Sequence, residues 1–287
     1  MRWGLALSGG GILGAAHLGV WRALRDMGLR PGIVSGTSAG GLVAGMCALG
    51  VGPDAVIEAA RRVCRTPSRY FRPQLGPLWR ELLHRGMPVS GLLDPTAFVR
   101  ELLTAAPGAA TTGDWVMPAA LTACDLVHLR PTAFVTAPGP RPLRGDWAVV
   151  EGAPLALALH ATMAEPVLYT AAEDGDHVYV DGGLADIVPE DWAVTLGAER
   201  VLAVDVAPPG YVSGPMGIEE IVGRSIAFVL KETSVLRRPR RPVLRLLPDT
   251  SGVGLFGFSH CDALVEAGYA CVQARAADIR AFVESAP

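Results

Sequence analysis

The position of one serine turn restricts this chain more than any other feature. Gly36-Thr37-Ser38-Ala39-Gly40 matches G-x-S-x-G, with a short β-prone run, Ile33–Ser35, before it and a helical pattern, Gly41–Leu49, after it. Strand, tight turn and helix in that order hold a serine in a strained elbow. Small residues two positions either side let strand and helix approach closely. The same turn places Ser38 at a helix N-terminus, where free N–H groups and the helix dipole favour developing negative charge. The alternative is a plain serine N-cap on a glycine-rich helix start.

Around this turn short β-rich runs alternate with longer helical patterns, which predicts an α/β fold with a mostly parallel central sheet. Strands are expected at Trp3–Leu7, Ile33–Ser35, Ala119–Ala123, Thr132–Thr136, Val167–Thr170, His177–Val180, Arg200–Val206 and Val243–Leu246. Helices are expected over Gly14–Met27, Gly41–Leu49, Pro53–Cys64, Pro154–Ala161, Glu190–Leu196, Ile218–Leu236 and Asp262–Val283. The stretch from Arg65 to Asp94 differs in kind. It carries Pro67, Pro73, Pro77 and Pro88 with Tyr70, Phe71, Leu75, Leu78 and Trp79 among them, a candidate cap or lid. There is no internal repeat or low-complexity segment, and residues 1–287 read as one continuous domain.

Two further glycine turns accompany the serine. Gly9-Gly10-Gly11-Ile12-Leu13-Gly14 follows the first expected strand and contains G-x-G-x-x-G. A dinucleotide site would need an acidic residue at the end of the second strand, and that strand ends in Ser35-Gly36-Thr37. Consecutive glycines also expose backbone N–H groups with no side chain in the way, which suits an oxyanion hole. Asp181-Gly182-Gly183 ends the strand containing Val178-Tyr179-Val180. Alone it is a common turn, but a carboxylate fixed there can act as base to a serine within hydrogen-bond reach. An ordinary α/β-hydrolase elbow follows several strands and is served by a later histidine. Here only two strands precede Ser38, and His160, His177 and His260 lie in no recognisable loop context.

Taken together, G-G-G-x-x-G, G-T-S-A-G and D-G-G at these positions resemble the patatin-like phospholipases. The likeness extends to Gly14–Val20, to Ala161-Thr162-Met163-Ala164-Glu165-Pro166 and to Gly197–Val206. It is weakest over Arg65–Leu92 and the C-terminal part of the chain. The resemblance implies a three-layer α/β/α fold and a Ser38–Asp181 dyad without histidine. It implies an oxyanion hole from the amides of Gly9, Gly10 and Gly11, with Gly14, Gly36, Gly40, Gly182 and Gly183 as supporting motif positions. It also implies lipid or acyl-ester substrates and neither metal nor organic cofactor. Family members often carry Arg or Lys where this chain has Leu13, so oxyanion stabilisation is left to backbone amides. A catalytically weak lipid-binding or regulatory protein on the same scaffold is the alternative.

Composition sets the remaining bounds. Half the residues are hydrophobic, and the formal net charge of -3 gives no basic field for nucleic acid. Arg237, Arg238, Arg240 and Arg241 follow the long helix and could meet anionic headgroups in transient membrane contact. Five cysteines, Cys47, Cys64, Cys124, Cys261 and Cys271, form no C-x-x-C pair, which fits a reducing cytoplasm. The start, Met1-Arg2-Trp3, runs straight into a strand pattern. The glycine-crowded stretch over 32–51 makes a poor membrane span. The expectation is a soluble, cytoplasmic protein.

Overall fold

The structure, a computed structural model, describes residues 2–74, 76, 89–136, 142, 146–206, 221, 228, 241–254 and 257–285. Its frame is a nine-stranded mixed sheet. Strands β1 (Trp3–Leu7), β2 (Ile33–Thr37), β5 (Ala119–Asp125), β11 (Arg200–Val204) and β12 (Val243–Leu246) run parallel in the order β12-β11-β1-β2-β5. Beyond them β6 (Arg130–Val135) returns antiparallel on β5, and β7 (Ala148–Glu151) pairs parallel with β6. Strand β10 (His177–Asp181) is antiparallel to β5 and carries β9 (Ala172–Asp174) as a hairpin partner. The central parallel strands are buried end to end, as expected of strands covered on both faces.

Alternation along the strands divides the core into two layers. Leu5, Leu7 and Val34 face one side, with helices α1 (Ala15–Asp26), α2 (Ala39–Ala48) and α3 (Pro53–Arg65). Ala6, Ile33 and Val201 face the other, with Ala193 of the Glu190–Thr195 helix. Helix α2 is buried on nearly every side, between the sheet and the Leu155–Met163 helix, and its all-round apolar sequence suits that place. Helix α1 crosses the Cys261–Ala274 helix at very close range. A Cβ on Gly19 would lie 1.8 Å from the Val265 carbonyl oxygen, and one on Gly268 would lie 1.9 Å from that of Ala16.

Several elements depart from expectation. The strand at Val167–Tyr169, here β8, leaves the main sheet and joins a small one with β3 (Arg72–Pro73) and β4 (Gly91–Asp94). Pairing of β3 with β4 ties together the two ends of the proline-rich excursion, whose Leu75, Pro77, Leu78, Trp79 and Pro88 lie outside the described residues. The C-terminal helix expected over 262–283 breaks at Arg275 (φ −119°, ψ 21°) into Cys261–Ala274 and Ala276–Glu284. The helix at Thr96–Leu103 and the short strands β7 and β9 are not among the expected elements. Of the helix expected over 218–236 only Ile221 and Phe228 are described, both helical and exposed. Arg237, Arg238 and Arg240 lie outside the described residues. None of the five cysteines is in a disulfide, and no helix among the described residues is long and apolar enough to cross a membrane.

Candidate active site

Strand register brings the serine turn and the aspartate turn together. Strand β6 pairs with β5 from Ala120 to Asp125, occupying one edge of β5 throughout. Both β2 and β10 must therefore share the other edge. Strand β2 runs along it to Thr37, opposite Thr122, while β10 comes from the other direction and ends with Asp181 opposite Ala123. The two strands meet head-on, with their C-terminal residues opposite adjacent positions of β5. Ser38 is the next residue after Thr37. Its side chain acts on the Asp181 carboxylate across this junction, favouring the charged form.

Each turn is built for close approach. Ser38 has φ 54° and ψ −124°, a conformation that costs on the order of 1–3 kcal/mol for a non-glycine residue and projects the side chain out of the elbow. Its own N–H donates to Thr162 Oγ1 at 3.0 Å. A Cβ on Gly36 would meet the Gly40 carbonyl oxygen at 2.3 Å, and one on Gly40 would meet that of Leu7 at the same distance. A Cβ on Gly14 would collide with that of Ala39 at 2.3 Å. On the aspartate side, Gly183 N–H donates to Asp181 Oδ1 at 2.7 Å, and Gly182 lies flat on the backbone of Thr122.

The glycine turn lies beside the serine: a Cβ on Gly9 would stand 3.3 Å from the Ser38 Cβ. Gly10 (φ 154°) and Gly11 (φ 55°) adopt backbone angles that favour glycine, and their N–H groups meet no acceptor among the described residues. The amide of Gly9 is different. It donates to the Ile187 carbonyl at 3.0 Å, tying the glycine turn to the loop after Asp181. This corrects the expectation of three free glycine amides to two. Leu13 packs into the core.

Burial pushes the Asp181 carboxyl up to about 7, offset in part by the Ser38 hydroxyl and the Gly183 amide and reinforced by the Glu165 charge nearby. Glu165 is itself raised by burial. Ser38 and Glu165 both line an apolar cavity of about 110 Å³, walled by Leu18, Leu42, Val56 and Phe71 among others. Phe71 packs in tilted geometry against Phe98, Tyr169 and Phe258, with ring centroids 5.2, 5.5 and 5.7 Å apart. It stands between the short Pro67–Tyr70 helix and β3, so the start of the proline-rich excursion forms part of the cavity wall.

Residues 5–194 match the family model described as "Patatin-like phospholipase", a span that includes the serine turn and the Asp181 turn. The chain belongs to the patatin-like phospholipase family. It is 29% identical over 206 residues to Lysophospholipase NTE1 of Mycosarcoma maydis, covering 72% of this chain and 10% of that protein. It is 24% identical over 292 residues to an uncharacterized NTE family protein of Mycobacterium tuberculosis, covering 92% of this chain and 45% of the other. The chain thus spans less than half the length of either relative. Among solved structures, VipD from Legionella pneumophila aligns with a TM-score of 0.42 at 14% identity, over 93% of this chain and 67% of that one.

In this patatin-like chain a set of polar supports, none of them given a role from sequence, holds the turns in place. The Ser8 carbonyl accepts from Gly40 N–H at 3.1 Å and from His17 Nε2 at 2.9 Å, while its hydroxyl donates to the Gly9 carbonyl and accepts from Val206 N–H. Burial pushes His17 down to about 4, so it is neutral and Nε2 carries the proton. Thr37 Oγ1 donates to the Asp186 carbonyl at 2.8 Å and accepts from Thr122 Oγ1 at 2.7 Å, binding β2, β5 and the Asp181 loop at their junction. Small polar residues inside apolar strands are the only sequence signal for this set. His160 bonds the Thr170 carbonyl, His177 bonds Asp125 and His260 contacts Ser259, so these three are engaged elsewhere.

Proposed function

We propose that this chain hydrolyses fatty acyl esters of lipids, with Ser38 as nucleophile and Asp181 as its base. The observation that carries this reading is a serine in a strained strand-to-helix turn, brought beside a buried carboxylate by strand register and placed on the wall of an apolar cavity. Asp181 accepts the Ser38 proton as Oγ attacks the ester carbonyl carbon. The tetrahedral oxyanion accepts hydrogen bonds from the free amides of Gly10 and Gly11, and loss of one such donor typically costs about 10²–10³ in rate. Collapse breaks the ester C–O bond, and Asp181 returns the proton to the departing alcohol. Asp181 then takes a proton from water, whose oxygen attacks the acyl-serine; collapse breaks the acyl–Oγ bond, releases the fatty acid, and Asp181 returns the proton to Ser38 Oγ.

The cavity accounts for acyl specificity better than for headgroup specificity. Its described walls are aliphatic and aromatic, with Glu165 the one charged side chain among them and no cation. An acyl chain fits such a surface, at roughly 0.8 kcal/mol for each buried CH₂. The aromatic wall around Phe71 supports a capping role for the excursion that begins at Arg65.

A fluorophosphonate probe followed by peptide mapping tests the dyad. Labelling is expected on Ser38, absent from Ser38→Ala and slowed by about 10²–10⁴ in Asp181→Asn, the range of general-base contributions. A series of p-nitrophenyl esters and lysophospholipids would then rank chain length against headgroup. A folded protein that takes no label would remove the hydrolase reading and leave a lipid-binding protein on the same scaffold.

A further inference from the structure

At the opposite end of β10 from Asp181, two turns converge on one carboxylate. Asp125, at the end of β5, is 2% exposed. Its Oδ2 accepts from His128 Nδ1 at 2.8 Å and from His177 Nδ1 at 2.6 Å. Its Oδ1 accepts from the amides of Val127 at 3.0 Å and His128 at 3.4 Å. A carboxylate side by side with both rings accepts from them, so each histidine turns its Nδ1 proton to Asp125.

That arrangement leaves both Nε2 atoms outside the bonds to Asp125, and both stand near Asp176. His177 Nε2 is 3.6 Å from Asp176 Oδ1, and His128 Nε2 is 4.0 Å from Asp176 Oδ2. The two imidazoles lie 4.8 Å apart between centroids, and Tyr179 stacks on His177 at 5.5 Å and 9°, holding that ring in place. Zinc bonds of about 2.0–2.2 Å in tetrahedral geometry set neighbouring ligand atoms about 3.3 Å apart. Asp176 is 82% exposed, so its carboxylate is free of packing that would fix it. A carboxylate that fixes the tautomer and orientation of ligating histidines from behind is the usual outer shell of an imidazole metal site.

We propose that the β5–β6 and β9–β10 turns form a zinc-type transition-metal site, with His128 Nε2, His177 Nε2 and the Asp176 carboxylate as ligands. Asp125 is the orienting carboxylate behind them, since its own lone pairs are already taken by four N–H donors. Imidazole ligands select zinc, nickel, copper or cobalt over magnesium or calcium. A bound ion would pin the hairpin that supplies β10 to the far end of β5, a structural role separate from the reaction at Ser38.

Isothermal titration of the metal-free protein with Zn²⁺ at neutral pH, with Mg²⁺ as the control, tests this. One equivalent of Zn²⁺ is expected to bind and raise the melting temperature, with no effect of Mg²⁺. Asp176→Asn removes an exposed ligand without disturbing the fold and should weaken binding. Asp125→Asn should weaken it by about 10–100-fold, the range for outer-shell partners. The His128→Ala, His177→Ala double variant, its fold checked by circular dichroism, should lose the site. Wild type binding Zn²⁺ no better than that double variant, or no better than Asp176→Asn, would overturn the proposal.

Discussion

Ser38, Asp181 and Glu165 form the smallest unit whose behaviour follows from the structure. Burial raises the Asp181 carboxyl to about 7, with the Glu165 charge as a further contributor. A base must be ionised to act, so kcat/KM should rise with pH through about 7 and fall away on the acid side. Glu165→Gln removes the neighbouring charge and should move that limb to lower pH, which a pH–rate profile of the two proteins reads directly. An unchanged limb would mean that Glu165 does not act on Asp181. Stability follows the opposite course. The folded carboxyl holds its proton more tightly than the unfolded one, whose pKa is about 3.9. The resulting stabilisation is complete below that value and is lost as pH rises toward 7. Asp181→Asn should flatten this dependence in urea titrations across the same window.

At the scale of elements, close contacts between backbones decide more than side-chain volume. Helix α1 and the Cys261–Ala274 helix cross through Gly19 and Gly268, each of which faces a carbonyl oxygen of the other helix at a distance no Cβ could occupy. Gly268→Ala should force the pair apart and cost about 1–3 kcal/mol or more, the usual range for an overpacked interior. Chemical denaturation measures that loss, and a change of only a few tenths would show that the crossing relaxes freely. Because α1 carries His17, whose Nε2 holds the Ser8 carbonyl beside the glycine turn, the same substitution should also slow labelling at Ser38. Ser38 gains its second anchor from an element far away in sequence, Thr162 on the Leu155–Met163 helix.

At the scale of the whole molecule, the decisive feature is that β2 and β10 meet head-on along one edge of β5. Gly182 sits at this junction, and a Cβ there would press on the Thr122 backbone at 2.4 Å. Gly182→Ala should displace Asp181 from Ser38 and slow fluorophosphonate labelling while circular dichroism stays unchanged. Labelling at the wild-type rate would mean that the junction tolerates the shift. The α/β class, the strands β1, β2, β5, β10, β11 and β12 within a residue or two, and the glycine, serine and aspartate turns are all legible in the amino-acid order. Each of these is a local pattern: alternation of burial, a glycine where backbone angles or close approach demand one, a polar residue at a strand end. Long-range packing, by contrast, sets the departure of β8 from the main sheet and the break of the C-terminal helix at Arg275. It likewise decides that the Gly9 amide is taken by Ile187 and that His128 and His177 share Asp125. Those outcomes depend on which distant backbone or side chain arrives to satisfy a given hydrogen-bonding group. Pairing between residues far apart in the chain leaves little trace in the pattern around either one.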